Sequence, residues 1–90
     1  MSRRFEEIEI DRPLGKILAA KVSALVAEHG GTNLAASPAL GIGAPVIGKL
    51  RAGKVRAGKV RARYAPETID ALARAAGVTR AALLAGKVAP

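Results

Sequence analysis

A five-residue unit occurs three times in succession, as GKLRA at 48–52, GKVRA at 53–57 and GKVRA at 58–62, and it sets the tightest limit on how this chain can fold. Five residues rotate a helix by roughly 140° beyond a full turn, and an odd period alternates between the two faces of a strand. Leu50, Val55 and Val60 therefore cannot point to one core from a single straight element. The first copy reads as the end of a helix. The later copies read as an extended or hairpin-like basic loop over residues 53–65, held loosely to the domain.

On either side of the repeat the pattern is helical. Leu14, Ile17, Leu18, Val22, Leu25 and Val26 recur at steps of three and four, which places them on one apolar face of a first helix. Asp11 and Pro13 supply its start signals and Gly30-Gly31 its stop. Thr32 caps a second helix running from Asn33 towards Leu40. Pro38 lies inside that helix, so it either kinks there or restarts with Ser37 as cap. Gly41-Ile42-Gly43 makes a tight turn, and Ile42 and Ile47 have the spacing of a hydrophobic staple. A third helix, from Ala44 to about Ala52, buries Ile47 and Leu50. Beyond Tyr64, Pro66 opens a fourth helix with Ile69, Leu72, Ala73 and Ala76 on one face, stopped at Gly77. Thr79 caps a fifth through Leu83 and Leu84, with Val78 and Leu83 as its staple and Gly86 as its stop.

The opening SRRFEEIEID alternates weakly in EEIEID, which suits a short strand or a disordered arm with Phe5 docked on the core. The expected organisation is an arm over 1–12 and one domain over 13–90. The fold class is an all-α bundle of about five short helices containing a helix-turn-helix, with the basic loop between helices 3 and 4. Ninety residues suffice for one core of this kind and little more. With two aromatics in the chain, Phe5 and Tyr64, that core must be built from Leu, Ile and Val.

Charge is distributed unevenly. Residues 1–47 carry five basic and five acidic side chains, residues 48–65 seven basic and none acidic, and residues 66–90 three basic and two acidic. Nearly all of the net +8 thus sits in one stretch. A localised basic stripe suits a polyanion ligand, because each cation that meets a phosphate releases condensed counterions. Cysteine is absent, which excludes disulfides and thiolate metal sites. The lack of an apolar span or a secretory leader makes a cytoplasmic, nucleoid-associated protein the expectation.

The stretch TNLAASPALGIGAPVIGKLRAGK, Thr32 to Lys54, resembles the central motif of the Xre/Cro group of helix-turn-helix proteins, to which many phage repressors belong. Thr32 matches its cap, Gly41 its turn, Ile42, Ile47 and Leu50 its inward residues, and Gly53-Lys54 the close of its recognition helix. PETIDALARAAGVTRAALLAG, Pro66 to Gly86, resembles the group's closing helix pair. The chain departs from the group at Ala36-Ser37-Pro38, where a Leu-Ala pair is usual, at Asn33, where glutamine is usual, and in its longer connection after the third helix.

The resemblance implies a sequence-specific, DNA-binding regulator of transcription that occupies operator DNA, as a homodimer on two half-sites, with no enzymatic activity and no cofactor. By position, Ala44, Pro45, Val46, Gly48 and Lys49 match the base-reading surface. Lys49 is the one donor there able to reach guanine, and Ala44 and Val46 suit thymine methyls. Arg51, Lys54, Arg56, Lys59, Arg61 and Arg63 suit phosphates or a minor groove. Thr32 and Asn33 suit a phosphate at a helix N-terminus. A second glycine-spaced match, Ala73, Gly77, Val78 and Leu83, lies farther from the basic stretch and is the less favoured reading unit.

Other signals are weaker. Gly41, Gly43 and Gly48 lack the preceding strand and downstream acid of a dinucleotide loop. His29 suits the free carbonyls at the end of the first helix, with no ligand set around it. Tyr64 suits a core plug better than a base-stacking residue. Two alternative functions stand beside the regulator: an architectural or recombination-directionality factor that bends DNA through the basic loop, and an antitoxin-like module that holds another protein. Strong bending with weak sequence preference marks the first, and an exposed apolar face on the fifth helix marks the second.

Overall fold

The computed structural model describes residues 7–53 and 61–87. Along the chain these form β1 (Ile8–Asp11), α1 (Arg12–Glu28), α2 (Asn33–Leu40), α3 (Ala44–Ala52), β2 (Arg61–Tyr64), α4 (Pro66–Ala76) and α5 (Arg80–Leu84). The bundle is mostly helical, as the periodicity predicts, with one small sheet added to it.

The longest helix, α1, starts at Arg12, two residues before its apolar pattern begins at Leu14, with Asp11 as its cap. Asp11 accepts a hydrogen bond from Leu14 N at 3.0 Å, which satisfies one of the four free amides of the first turn. Leu18, Val22, Leu25 and Val26 are buried. Ile17, expected on the same face, is instead 40% exposed, at the edge of the stripe.

Thr32 caps α2 by accepting from Ala35 N at 3.1 Å. The helix runs through Pro38 without restarting at Ser37. Burial of Ala36 and Leu40 holds its inner face, and Ser37 Oγ donates to Ile42 O at 2.7 Å, bonding the helix to the turn that follows. Both contacts work against the bond and clearance lost at proline. Gly41 ends α2 at φ 69°, a left-handed conformation that side chains with a Cβ rarely adopt. Ile42 and Ile47 are both buried, so the staple around this turn forms.

At the far end of α3, Gly53 ends the helix at φ 60°, against α1. A Cβ there would lie 3.1 Å from Ala19 Cβ and 3.4 Å from the Gly15 carbonyl oxygen, so the close approach of α3 to α1 depends on glycine.

The segment expected as a loop over 53–65 ends differently. Its last residues form β2, which pairs antiparallel with β1 in the register Ile8↔Tyr64, Glu9↔Arg63, Ile10↔Ala62 and Asp11↔Arg61. The arm expected over 1–12 is correspondingly a strand over Ile8–Asp11 followed by the start of α1, while Phe5 lies outside the described residues. The physical reason is the alternation of the two strands. Ile10 and Tyr64 are buried, whereas Glu9 and Arg63 are exposed, so pairing places apolar side chains inward and opposite charges outward.

Leu18, Ile47, Ile69, Leu72, Leu83, Val22 and Val26 are the largest fully buried side chains, one shared core drawn from four helices. Each contributes on the order of 1.5–3 kcal/mol by leaving water. Leu83 brings in α5, which a two-pronged contact also ties to α4: Arg80 Nε and Nη2 donate to Asp70 Oδ1 and Oδ2 at 2.6 and 2.7 Å. The hydrogen bonds from Arg80 hold the Asp70 carboxyl below the ordinary carboxylate range; desolvation opposes them, and the charges of Arg80 and Arg74 assist.

A carboxylate whose pKa is depressed by folding adds stability above its unfolded pKa and loses it as pH falls through the folded value. Stability is therefore expected to decline on acidification below the normal aspartate range. Asp70→Asn is expected to flatten that part of the profile, as read from urea unfolding midpoints across the acid range.

Candidate nucleic-acid interface

The residues that the sequence reading expects at DNA fall into three groups. The first lies along α2 and α3. Thr32 uses its hydroxyl oxygen as the α2 cap. Asn33 Oδ1 accepts from Arg51 Nη1 at 2.8 Å, while Arg51 Nε donates to Ser23 Oγ at 3.2 Å. Arg51 is thus a tie between α3, α2 and α1. Ser23, which sequence reasoning missed, is one of three polar anchors in that tie. Gly48 sits where α3 passes the start of α2, since a Cβ on it would lie 3.3 Å from Asn33 Nδ2.

Removing the tie has a measurable consequence. Arg51→Ala is expected to lower stability by about 1 kcal/mol, the range of an exposed charge-assisted pair of bonds. Arg51→Lys is expected to recover little of it, because a point ammonium cannot span both acceptors as the guanidinium fork does. Denaturant titration of the two variants beside the parent checks both expectations.

The second group is the face of α3 itself. Ala44, Val46 and Gly48 are half-buried, and Val46 packs against the core. Pro45, Lys49 and Ala52 are exposed and follow one another at steps of four and three, so they form the outer stripe of the helix. Lys49 Nζ lies 4.9 Å from the centre of the Tyr64 ring, within the range of a cation–π contact. Tyr64, 7% exposed, is the core plug its position predicts, and burial pushes its hydroxyl above the ordinary tyrosine pKa. The outer stripe therefore offers one side-chain donor, and that donor rests on an aromatic face.

The third group is the basic stretch. Lys54, Arg56 and Lys59 lie outside the described residues. Arg61 and Arg63 belong to β2, and Arg63 Nη2 stands 3.5 Å from Glu9 Oε2. Glu9 is a second residue that sequence reasoning missed; its signal was the alternating acids of EEIEID opposite alternating arginines of RARY. The Lys49–Tyr64 contact brings the end of α3 beside β2, so both described ends of the basic stretch meet on one side of the molecule.

The less favoured glycine-spaced match is also a pair of helices: α4 ends at Gly77, with φ 74°, and Thr79 caps α5 by accepting from Ala82 N at 3.1 Å. The α5 helix is only five residues long, and its Leu83 is fully buried. The large apolar side chains left exposed among the described residues are Ile17 and Leu34, neither of them on α5. Among the described residues no helix is long and apolar enough to cross a membrane, and no cluster of His, Asp or Glu is placed to hold a metal ion. No protein-family model, curated protein or solved structure matches the chain.

Proposed function

We propose that this protein binds double-stranded DNA and regulates transcription as a small helix-turn-helix protein, drawing most of its affinity from phosphate contacts. The observation that carries the reading is the concentration of seven cations and no acid within residues 48–65, a stretch that begins in α3 and ends in β2. Duplex DNA is the polyanion that a helix presented beside a basic strand fits best. The pair α2 and α3, joined by the turn at Gly41–Gly43, supplies the helix, with Lys49 and the thymine-compatible Ala44 and Val46 as its modest means of reading bases. Lys54, Arg56, Lys59, Arg61 and Arg63 supply phosphate contacts, and Arg51 chiefly holds the helices in place.

One observation favours the architectural reading as a second. Lys49, the donor on the outer stripe of α3, lies over Tyr64, and Pro45 and Ala52 cannot donate from their side chains. Selection from a random-sequence duplex library separates the two. A regulator enriches a defined short site. Equal recovery of all sequences, together with strong bending in a circularisation assay, identifies an architectural protein. Absence of binding to any duplex removes both.

A further inference from the structure

We propose that Glu9 is a built-in competitor for the polyanion at Arg63, so that β1 limits how tightly the basic stretch holds its ligand. The inference rests on the reading of residues 48–65 as a phosphate-binding surface. That stretch contains no acid of its own, and the fold supplies acids from elsewhere. Four of the chain's seven acids, Glu6, Glu7, Glu9 and Asp11, fall within six residues, and β1 carries the last two of them alongside β2. Glu9 stands opposite Arg63 in the register, and Asp11 opposite Arg61.

Packing does not require these charges. The inner side of the sheet is closed by Ile10 and Tyr64, both buried, with Ile8 packed against the core. The pair on the outer side stands in water: Arg63 Nη2 lies 3.5 Å from Glu9 Oε2, and the two side chains keep 66% and 40% of their exposure. An ion pair so placed is screened and adds little to stability. Its weight falls on binding instead. A phosphate that takes Arg63 displaces a carboxylate of its own sign and leaves that carboxylate facing the negative ligand. Because the pair is exposed, the exchange needs no change in the fold. The penalty is correspondingly modest, up to about fivefold in affinity, the equivalent of the stronger exposed pairs. Asp11 has a different part, since its Oδ1 caps α1 by accepting from Leu14 N. Its replacement would disturb the helix, so the test falls on Glu9.

Fluorescence anisotropy of the full chain on a labelled duplex, starting at about 0.1 M salt, tests the proposal. Glu9→Gln is expected to bind about two- to fivefold more tightly than the parent. Its advantage is expected to shrink as salt rises, steepening the salt slope by a fraction of the roughly 0.9 that one phosphate contact contributes. Glu28→Gln removes the same charge at the far end of α1, roughly 25 Å from Asp11 at about 1.5 Å per residue, and is expected to do little at that salt. In the Arg63→Gln background, Glu9→Gln is expected to lose its advantage. Glu9→Thr, a good strand former, is expected to reproduce the gain, and the unfolding midpoints of all variants are read alongside. A gain no greater than that of Glu28→Gln overturns the proposal, as does a gain that persists in full without Arg63. Elution from immobilised heparin, a sulfated polyanion, keeps the proposal separate from the choice of DNA as ligand. If the parent binds no duplex, the DNA reading fails, while later elution of Glu9→Gln than of Glu28→Gln still supports competition at Arg63. A protein held by neither polyanion overturns both.

Discussion

Ile47→Ala is expected to lower the stability of the domain by about 2–5 kcal/mol, the range for deleting a large aliphatic side chain from a closed core. Ile47 is fully buried, and it sits in α3, the helix packed against both α1 and α2. Its removal leaves a cavity that three helices cannot close together, because the approach of α1 to α3 is already at contact distance at Gly53 and Ala19. A chain of this size has roughly 5–13 kcal/mol in total, so the loss is a large fraction of it. Each kcal/mol lowers the melting temperature by about 4–8 °C in a domain this small. Leu34→Ala, measured alongside in dilute solution, is expected to stay within about 0.5 kcal/mol of the parent, as exposed positions do. Equal effects at the two positions would mean that the core is not organised around α3.

The second large effect concerns binding. Replacing Lys54, Arg56, Lys59 and Arg63 together by glutamine is expected to reduce the slope of log affinity against log salt by about 3.6, at roughly 0.9 per phosphate contact. Over a fourfold change in salt such a slope corresponds to roughly a 10²-fold change in affinity. Arg51 is left in place because its guanidinium holds Ser23 and Asn33, and its loss would confuse folding with binding. Lys49 is left because of its contact with Tyr64. The four chosen positions leave the described helices and their caps untouched; Arg63 also faces the exposed Glu9 at 3.5 Å, so the unfolding midpoint of the variant is measured beside its binding. Fluorescence anisotropy on a labelled duplex across a salt series measures the slope directly. An unchanged slope would show that these cations do not meet phosphates.

The helices were legible because their signals are local. The caps at Asp11, Thr32 and Thr79, the glycine stops and the three-and-four spacing around Leu18, Ile47 and Leu72 each act within a few residues. The sheet was less legible because its signal is not local. EEIEID alternates over too few residues to exclude an arm, and RARY is hidden at the end of a repeat whose period matches no secondary structure. Each strand acquires its apolar side only when Ile8 pairs with Tyr64, across more than fifty residues of chain. At Pro38, local chemistry pointed to a break or a kink, and tertiary contacts at Ala36, Leu40 and Ser37 carried the helix through.

The candidate site divides in the same way. Counting charges located the basic stretch, since net charge needs no geometry. The side chains' engagements within the fold were invisible to counting: Arg51 with Asn33 and Ser23, Arg63 with Glu9, and Lys49 with Tyr64. They occupy Lys49, the one base-reading donor, and also Arg51 and Arg63, two of the six cations expected at phosphates. Leu34 went unnoticed in sequence because a leucine near the start of a helix reads as core, and only the observed packing turns it outward.

The central claim, binding to duplex DNA driven by phosphate contacts, is tested most directly by the affinity of the unmodified protein for a random-sequence duplex over a range of salt concentrations. The account predicts measurable binding at low salt and a linear fall of log affinity with log salt whose slope amounts to several units. Affinity that is absent at low salt, or indifferent to salt, would contradict it.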